Sequence, residues 1–134
     1  RARVDLAGGS NPGSYEAKSL QDGCAEDPVG RDSWGVQLSD WSGPKAGLRS
    51  LQLVVPSAAT GDQFYLGLVF GDFFAGTVHE IETRPSAPIA RGHGGVTVKR
   101  TTDGAVITVT GMTQDSVAIS ATIACAKAPA HPGE

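Results

Sequence analysis

Residues 104–125 read GAVITVTGMTQDSVAISATIAC, and this stretch decides the fold of the chain. Within it, five apolar residues occupy every second position, a period of two that is typical of a strand with one buried face. The five are Val117, Ile119, Ala121, Ile123 and Cys125. A β-branched run at 105–110 precedes them, and residues 111–115 can turn between the two runs. The stretch predicts a β-hairpin that ends in a cysteine.

Further short strands are predicted on the N-terminal side of this hairpin, separated by turns rich in Gly and Pro. They cover residues 14–21, 34–39, 48–55, 63–70, 77–83 and 96–101. The run 63–70 is nearly all apolar, so we expect a central strand that is buried on both faces. About eight strands without an amphipathic helix predict an all-β protein, an antiparallel β-sandwich.

The predicted core of the sandwich takes its members from five of these strands. They are Val36, Leu38, Leu51, Leu53, Leu66, Leu68, Val109, Ile119 and Ile123. A chain of 134 residues with 40% hydrophobic and 19% charged residues fits one globular domain. We expect a flexible N-terminal arm at 1–13, the β-sandwich domain at 14–125, and a disordered tail at 126–134. Within the arm, Val4 and Leu6 could form a short edge strand.

The two cysteines, Cys24 and Cys125, are far apart in the sequence and form neither a CxxC pair nor a zinc cluster. Cys24 lies in a polar, turn-rich segment and Cys125 ends a strand, which favours a disulfide between them. The alternative is two buried free thiols. A disulfide implies an oxidising, extracytoplasmic location, whether periplasmic, cell-surface or secreted.

The charge of the chain bears on its partners. The net charge is -3 and the basic residues are scattered, so a nucleic-acid partner is not expected. The sequence also predicts no cofactor. Ser33 lacks the glycine pattern of a nucleophile elbow and is read as an ordinary loop serine. Glu80 and Glu82 share a strand face, which invites a glycosidase interpretation, but a solvated strand face explains them better.

Two groups of residues could ligate a metal, but the sequence predicts a metal site at neither. His79 and His93 could combine, although the side chain of His79 should point away from Glu80 and Glu82. Acidic residues crowd the segment around Cys24 and could hold calcium, but their spacing matches no known calcium loop. These acidic residues are Glu26, Asp27 and Asp32.

The aromatic residues are few and more informative. Phe73 and Phe74 are neighbours in a turn, and adjacent side chains do not easily both point inward. Trp41 lies in a loop, where a core residue is less expected. We therefore predict that Phe73, Phe74 and Trp41 form a partner-binding surface. The alternative is a small-ligand or carbohydrate-binding module that uses Trp41 and Trp34 as stacking platforms.

One stretch of the chain contains a glycine turn, a β-branched strand and an alternating strand that ends at Cys125, and another contains an early Cys24 after GSYEAKS. In these two stretches the chain resembles small bacterial envelope lipoproteins. These are the single-disulfide lipoproteins of the mycobacterial 19-kDa antigen type. The sequence LQDGC at 20–24 departs from a lipobox, because no apolar run precedes the cysteine. The resemblance implies an exported, non-catalytic domain, an accessory subunit attached to a larger membrane-associated or cell-surface assembly. The implied partner is a protein or a membrane-surface assembly.

Overall fold

The computed structural model describes residues 2–17, 24–26, 33–39, 47–57, 61–71, 76–102 and 104–126. The described residues contain ten β-strands and no helix. The strands are β1 (Ala2–Ala7), β2 (Gly13–Ala17), β3 (Cys24–Glu26), β4 (Trp34–Ser39), β5 (Leu48–Val55), β6 (Tyr65–Phe70), β7 (Thr77–Glu82), β8 (His93–Thr101), β9 (Gly104–Met112) and β10 (Ala118–Ala126).

The strands form two five-stranded sheets. The first sheet has the order β2-β1-β10-β9-β8, and the second has the order β3-β4-β5-β6-β7. Every paired neighbour is antiparallel. The chain crosses between the sheets after β2 and again after β7. The prediction of an all-β, antiparallel β-sandwich is confirmed, with ten strands in place of about eight.

The hairpin that decides the fold is formed by β9 and β10, which pair along nine residues from Ala118↔Met112 to Ala126↔Gly104. Its five alternating apolar side chains are all buried. The turn lies slightly later than expected, because Thr113 closes it: the Thr113 amide donates to the Val117 carbonyl at 2.9 Å. The Thr113 hydroxyl accepts a hydrogen bond from the Val117 amide at 3.0 Å.

The core lies between the inner faces of the two sheets. All nine predicted core residues are buried. In β6, Leu66, Leu68 and Phe70 face the core and are buried, and the strand lies inside its sheet between β5 and β7. Its outer face is only partly covered, since Tyr65 and Val69 are half-buried there. The expectation that this strand is buried on both faces therefore holds for one face.

Residues 2–7, expected to belong to a flexible arm, form β1 instead. This strand lies between β2 and β10 and pairs with both. Val4 is fully buried and Leu6 is 5% exposed. The expectation failed for two reasons. β1 is short and is followed by a Gly-rich segment, and the strand that buries it, β10, lies at the other end of the sequence. Val4 and Leu6 belong to an interior strand and not to an edge strand.

The predicted loop around Cys24 contains β3, a three-residue strand at the edge of the second sheet. Cys24 is bonded to Cys125 on β10, so the disulfide joins the two sheets across the sandwich. The predicted disulfide is confirmed. It closes a loop over a sequence separation of 101 residues. In the chain-entropy model, a loop of this size stabilises the folded state by about 4 to 5 kcal/mol.

The two sheets approach closely where β7 meets β8 and β9. Gly94 on β8 lies opposite Gly111 on β9. A Cβ atom on Gly111 would lie 2.5 Å from the His93 carbonyl oxygen and 2.9 Å from the Ile81 side chain on β7. Glycine is required there because no side chain fits between the two backbones and the second sheet.

The tail was predicted at 126–134, but Ala126 is the last residue of β10 and pairs with Gly104. The rest of the predicted tail, from 127 onward, lies outside the described residues. No helix among the residues described is long and apolar enough to cross a membrane.

Candidate binding surface

The outer side of β6 and β7 carries a cluster of charged and aromatic side chains. Successive side chains of a strand point to opposite faces. His79 and Ile81 of β7 face the core and are buried, so Val78, Glu80 and Glu82 face outward. We call the cluster formed by Tyr65, Glu80, Glu82, Arg84 and Arg91 the charged face.

Glu80 lies at the centre of the charged face. Its Oε1 accepts a hydrogen bond from Arg91 Nη1 at 2.8 Å. Its Oε2 accepts one from the Tyr65 hydroxyl at 3.1 Å. Both carboxylate oxygens therefore have a partner. Arg91 is brought into position by its backbone, because its amide and carbonyl pair with those of Glu82 at 2.8 and 2.9 Å.

Glu82 is held by Arg84, two residues later on the same side of the chain. Arg84 Nε lies 3.0 Å from both oxygens of the carboxylate, and Nη2 lies 2.6 Å from Oε1. The hydrogen bond to Glu82 is the main reason why the pKa of Arg84 is raised. The Arg84 guanidinium also lies over the Tyr65 ring, 5.1 Å from its centroid, in a cation–π contact.

Gly67 allows Tyr65 to reach Glu80. Gly67 lies opposite Glu80 in the register of β6 and β7. A Cβ atom at this position would lie 2.6 Å from the Tyr65 hydroxyl oxygen. Burial raises the pKa of Tyr65, and the nearby negative charge of Glu80 raises it further. Tyr65 therefore stays a neutral hydrogen-bond donor to Glu80 at neutral pH.

Two hollows meet at the Glu80–Arg91 ion pair. The edge groove, of about 410 Å³, is lined by Val78, Glu80, Arg91, Gln114 and Asp115. The loop hollow is about 240 Å³, and its lining residues are Tyr65, Glu80, Glu82, Ala87, Pro88, Ile89 and Arg91. Val78 is 56% exposed and Ile89 is 73% exposed, and they are the exposed large apolar residues of the described chain. Each hollow thus combines an exposed aliphatic side chain with a shared polar centre.

The carboxylates of the charged face do not form the arrangement that a glycosidase needs. Such enzymes use one carboxylic acid and one carboxylate on either side of the substrate bond. Glu80 and Glu82 lie on the same strand, and each is engaged by its own arginine. The interpretation as a polar strand face agrees with this geometry better. Ser33 is fully buried, so its hydroxyl is not presented to a substrate.

His79 lies on the opposite side of β7 from Glu80 and Glu82, as predicted. Its Nε2 is 2.9 Å from Asn11 Oδ1, and its ring packs edge-on against Phe70. Burial lowers the pKa of His79, and the negative charge of Asp115 opposes this shift. His93 is exposed at the start of β8.

The predicted metal ligands that the structure describes are not brought together. Among the described residues, no group of three or more His, Cys, Asp or Glu side chains is placed to hold a metal ion. Glu26 ends β3, whereas Asp27 and Asp32, its suggested companions in a calcium site, lie outside the described residues.

The predicted partner-binding residues Phe73, Phe74 and Trp41 also lie outside the described residues. Trp34 is the first residue of β4 and is only 5% exposed. It packs in the core with Arg100 over its ring at 5.4 Å, so it is not a platform for sugar stacking. This finding removes one of the two tryptophans on which the carbohydrate-binding alternative depends.

Sequence reasoning did not single out Tyr65, Arg84 or Arg91. A signal for Arg84 was present, because Glu80, Glu82 and Arg84 follow one another at a spacing of two. No local signal identifies Arg91, since it reaches Glu80 only after the chain has turned back between β7 and β8. Comparison with protein families, with curated proteins and with solved structures finds no match for this chain.

Proposed function

We propose that this protein is a non-catalytic binding domain that acts outside the cytoplasm as an accessory subunit of a larger membrane-associated or cell-surface assembly. The observation that carries the proposal is the pair of hollows around the Glu80–Arg91 ion pair. Each has an exposed aliphatic side chain, Val78 or Ile89, and the loop hollow also contains Tyr65. Tyrosine and arginine are enriched at protein interfaces and among their energetically dominant residues.

The charged face has the features of a rigid docking surface. Its side chains are fixed by hydrogen bonds and ion pairs before any partner arrives, so little side-chain entropy is lost on binding. It is built on two paired strands and not on a loop alone. The disulfide between the sheets is compatible with an oxidising compartment outside the cytoplasm.

Site-specific photo-cross-linking in the cells of origin tests this function. A photoreactive amino acid at position 89 should produce cross-links to a discrete partner in the envelope or cell-surface fraction. The matched control places the same amino acid at position 122, because Thr122 is exposed on the outer face of the other sheet. Cross-links of equal yield at both positions, or at neither, would contradict the proposal.

A further inference from the structure

β7 is the outer strand of the second sheet, and its register shows which backbone groups point away from that sheet. The Thr83 amide donates to the Phe64 carbonyl at 2.8 Å, so this pair is hydrogen-bonded. Hydrogen-bonded pairs alternate along an antiparallel ladder. Ile81 and His79 therefore bond to β6, whereas Val78 and Glu80 direct their amides and carbonyls toward the open edge.

Among the residues that the structure describes, the position next to this edge is occupied at one end only. Glu82 pairs with Arg91 through two backbone hydrogen bonds, as the first residue of an added strand would. The chain then turns at Gly92, which has φ +75°, and continues as β8, which pairs with β9. Among the described residues, none continues the pairing along Glu80 and Val78.

Two other outer strands are protected in ways that β7 is not within the described part of the chain. β3 has only three residues. In β8, the Val96 amide bonds to the Gly61 carbonyl at 2.6 Å. Natural proteins commonly shorten or cover their edge strands, because unpaired edges attract other chains. In β7 the open edge instead coincides with Val78, one of the most exposed apolar residues.

The edge groove runs beside these open backbone groups and indicates the chemistry of an occupant. Its volume of about 410 Å³ is within the usual range of ligand sites. Val78 provides an apolar contact. The charge of Glu80 is already neutralised by Arg91. Asp115 is exposed, and the hydrogen bond from the Thr113 hydroxyl is the main reason why its pKa is lowered. Asp115 is therefore ionised at neutral pH. The groove thus presents one negative charge beside an apolar patch.

We propose that the edge of β7 binds an extended segment of a partner protein as an additional strand, with an aliphatic side chain on Val78 and a lysine or arginine beside Asp115. Strand addition obtains its affinity from main-chain hydrogen bonds and its specificity from alternate side chains. This inference rests on the proposed function and specifies the form of the partner at the edge groove.

Calorimetric titration with capped synthetic peptides tests the inference. The probe is a six-residue peptide that alternates valine with lysine, and its match alternates valine with glutamate. The lysine peptide should bind and the glutamate peptide should bind more weakly. N-methylation of every second amide, in the set that faces β7, should reduce the affinity of the lysine peptide about tenfold or more, because each methyl group removes a hydrogen-bond donor to β7. N-methylation of the other set should change the affinity little.

Two variants at one position isolate the backbone contribution. Val78→Pro removes an amide that points away from β6, so the ladder within the sheet is kept and proline is tolerated at such an edge. This variant should keep its melting temperature and lose lysine-peptide affinity about tenfold. The matched control Val78→Thr keeps the amide and should retain most of the affinity. Asp115→Asn should reduce the preference for lysine over glutamate.

The outcomes separate this inference from the proposed function. Failure of the lysine peptide to bind, equal effects of the two N-methylation patterns, or full affinity of Val78→Pro would overturn strand addition. Concentration-dependent dimers that Val78→Pro abolishes would show that a second copy covers the edge, which also overturns it. If strand addition is overturned but position 89 still cross-links to an envelope partner, the proposed function holds and the domain binds that partner without adding a strand to β7.

Discussion

Gly67 is the residue at which one added methyl group should reorganise the charged face. In Gly67→Ala, the new Cβ atom would collide with the Tyr65 hydroxyl and displace it from Glu80. Displacement into solvent removes the burial that raises the pKa of Tyr65, so the pKa should fall toward its ordinary value.

Ultraviolet titration measures this change in a Tyr15→Phe background, where Tyr65 is the only tyrosine left. The melting temperature should change little, because the collision involves the end of a side chain. An unchanged tyrosine titration in Gly67→Ala would show that the ring does not depend on this glycine. Glu80→Gln is the matched control, since it keeps the shape of the side chain and removes its charge.

His79 should make the stability of the protein depend on pH. Its pKa is lowered in the folded state, so the unfolded chain takes up a proton more readily. The contribution of His79 is fully present above about pH 6.5, the ordinary histidine value, and is lost as the pH falls through the folded-state pKa. The free energy of unfolding should therefore decrease between about pH 7 and pH 5.

Urea unfolding across that range measures the effect, and carboxylates remain largely ionised there. His79→Asn should flatten the profile, whereas the exposed His93→Asn should leave it steep. A profile that His79→Asn does not alter would rule out His79 as the source. Asp115 contributes in the opposite direction, because its charge favours the protonated ring.

Among the elements, β1 should be indispensable although it lies at the start of the described chain. Removal of residues 1–7 would leave β10 and β2 without their shared neighbour and would expose the core. Val4 and Leu6 together contribute about 3 to 6 kcal/mol by burial. A domain of this kind has a total stability of about 5 to 15 kcal/mol, so the truncated protein should not unfold cooperatively.

Thermal unfolding followed by circular dichroism checks this expectation. Removal of residues 127–134, the part of the predicted tail that follows β10, is the control and should leave the unfolding transition at the same temperature. A cooperative transition at the native temperature after removal of 1–7 would restore the interpretation of this segment as an arm.

The sequence predicts those strands in which apolar and polar residues alternate within the segment itself, because this alternation shows which face is buried. The strands β4 and β5 have the predicted bounds, because their turns and period-two patterns lie within the segments themselves. β3 escaped prediction, and β1 was anticipated only as a short edge strand, because both are short and are stabilised by strands distant in the sequence. The charged face follows the same rule: the shared side of Glu80 and Glu82 was visible, but the approach of Arg91 depends on a chain reversal.

At the scale of the whole molecule, attachment to an assembly is predicted to depend on the pair Phe73 and Phe74. Burying each ring in a partner or a membrane interface would contribute about 1.5 to 3 kcal/mol. The double change Phe73→Ser with Phe74→Ser should leave the melting temperature nearly unchanged and abolish co-purification with envelope complexes.

A matched variant, Phe64→Ser, removes a fully buried ring and should instead destabilise the protein severely. A large loss of stability in the double variant would show that Phe73 and Phe74 belong to the core. The attachment hypothesis for these two residues would then be wrong.

The pairing of β1 with β10 distinguishes the two ends of the sandwich. Because the two strands are antiparallel and Ala2 lies opposite Ile123, both ends of the described chain leave the sandwich on the same side. The turn that carries Gln114 and Asp115 lies at the other end of β10, a nine-residue strand about 30 Å long. A tether joined at either end of the described chain would therefore attach at the end of the sandwich opposite the edge groove, and it would leave that groove free to meet a partner.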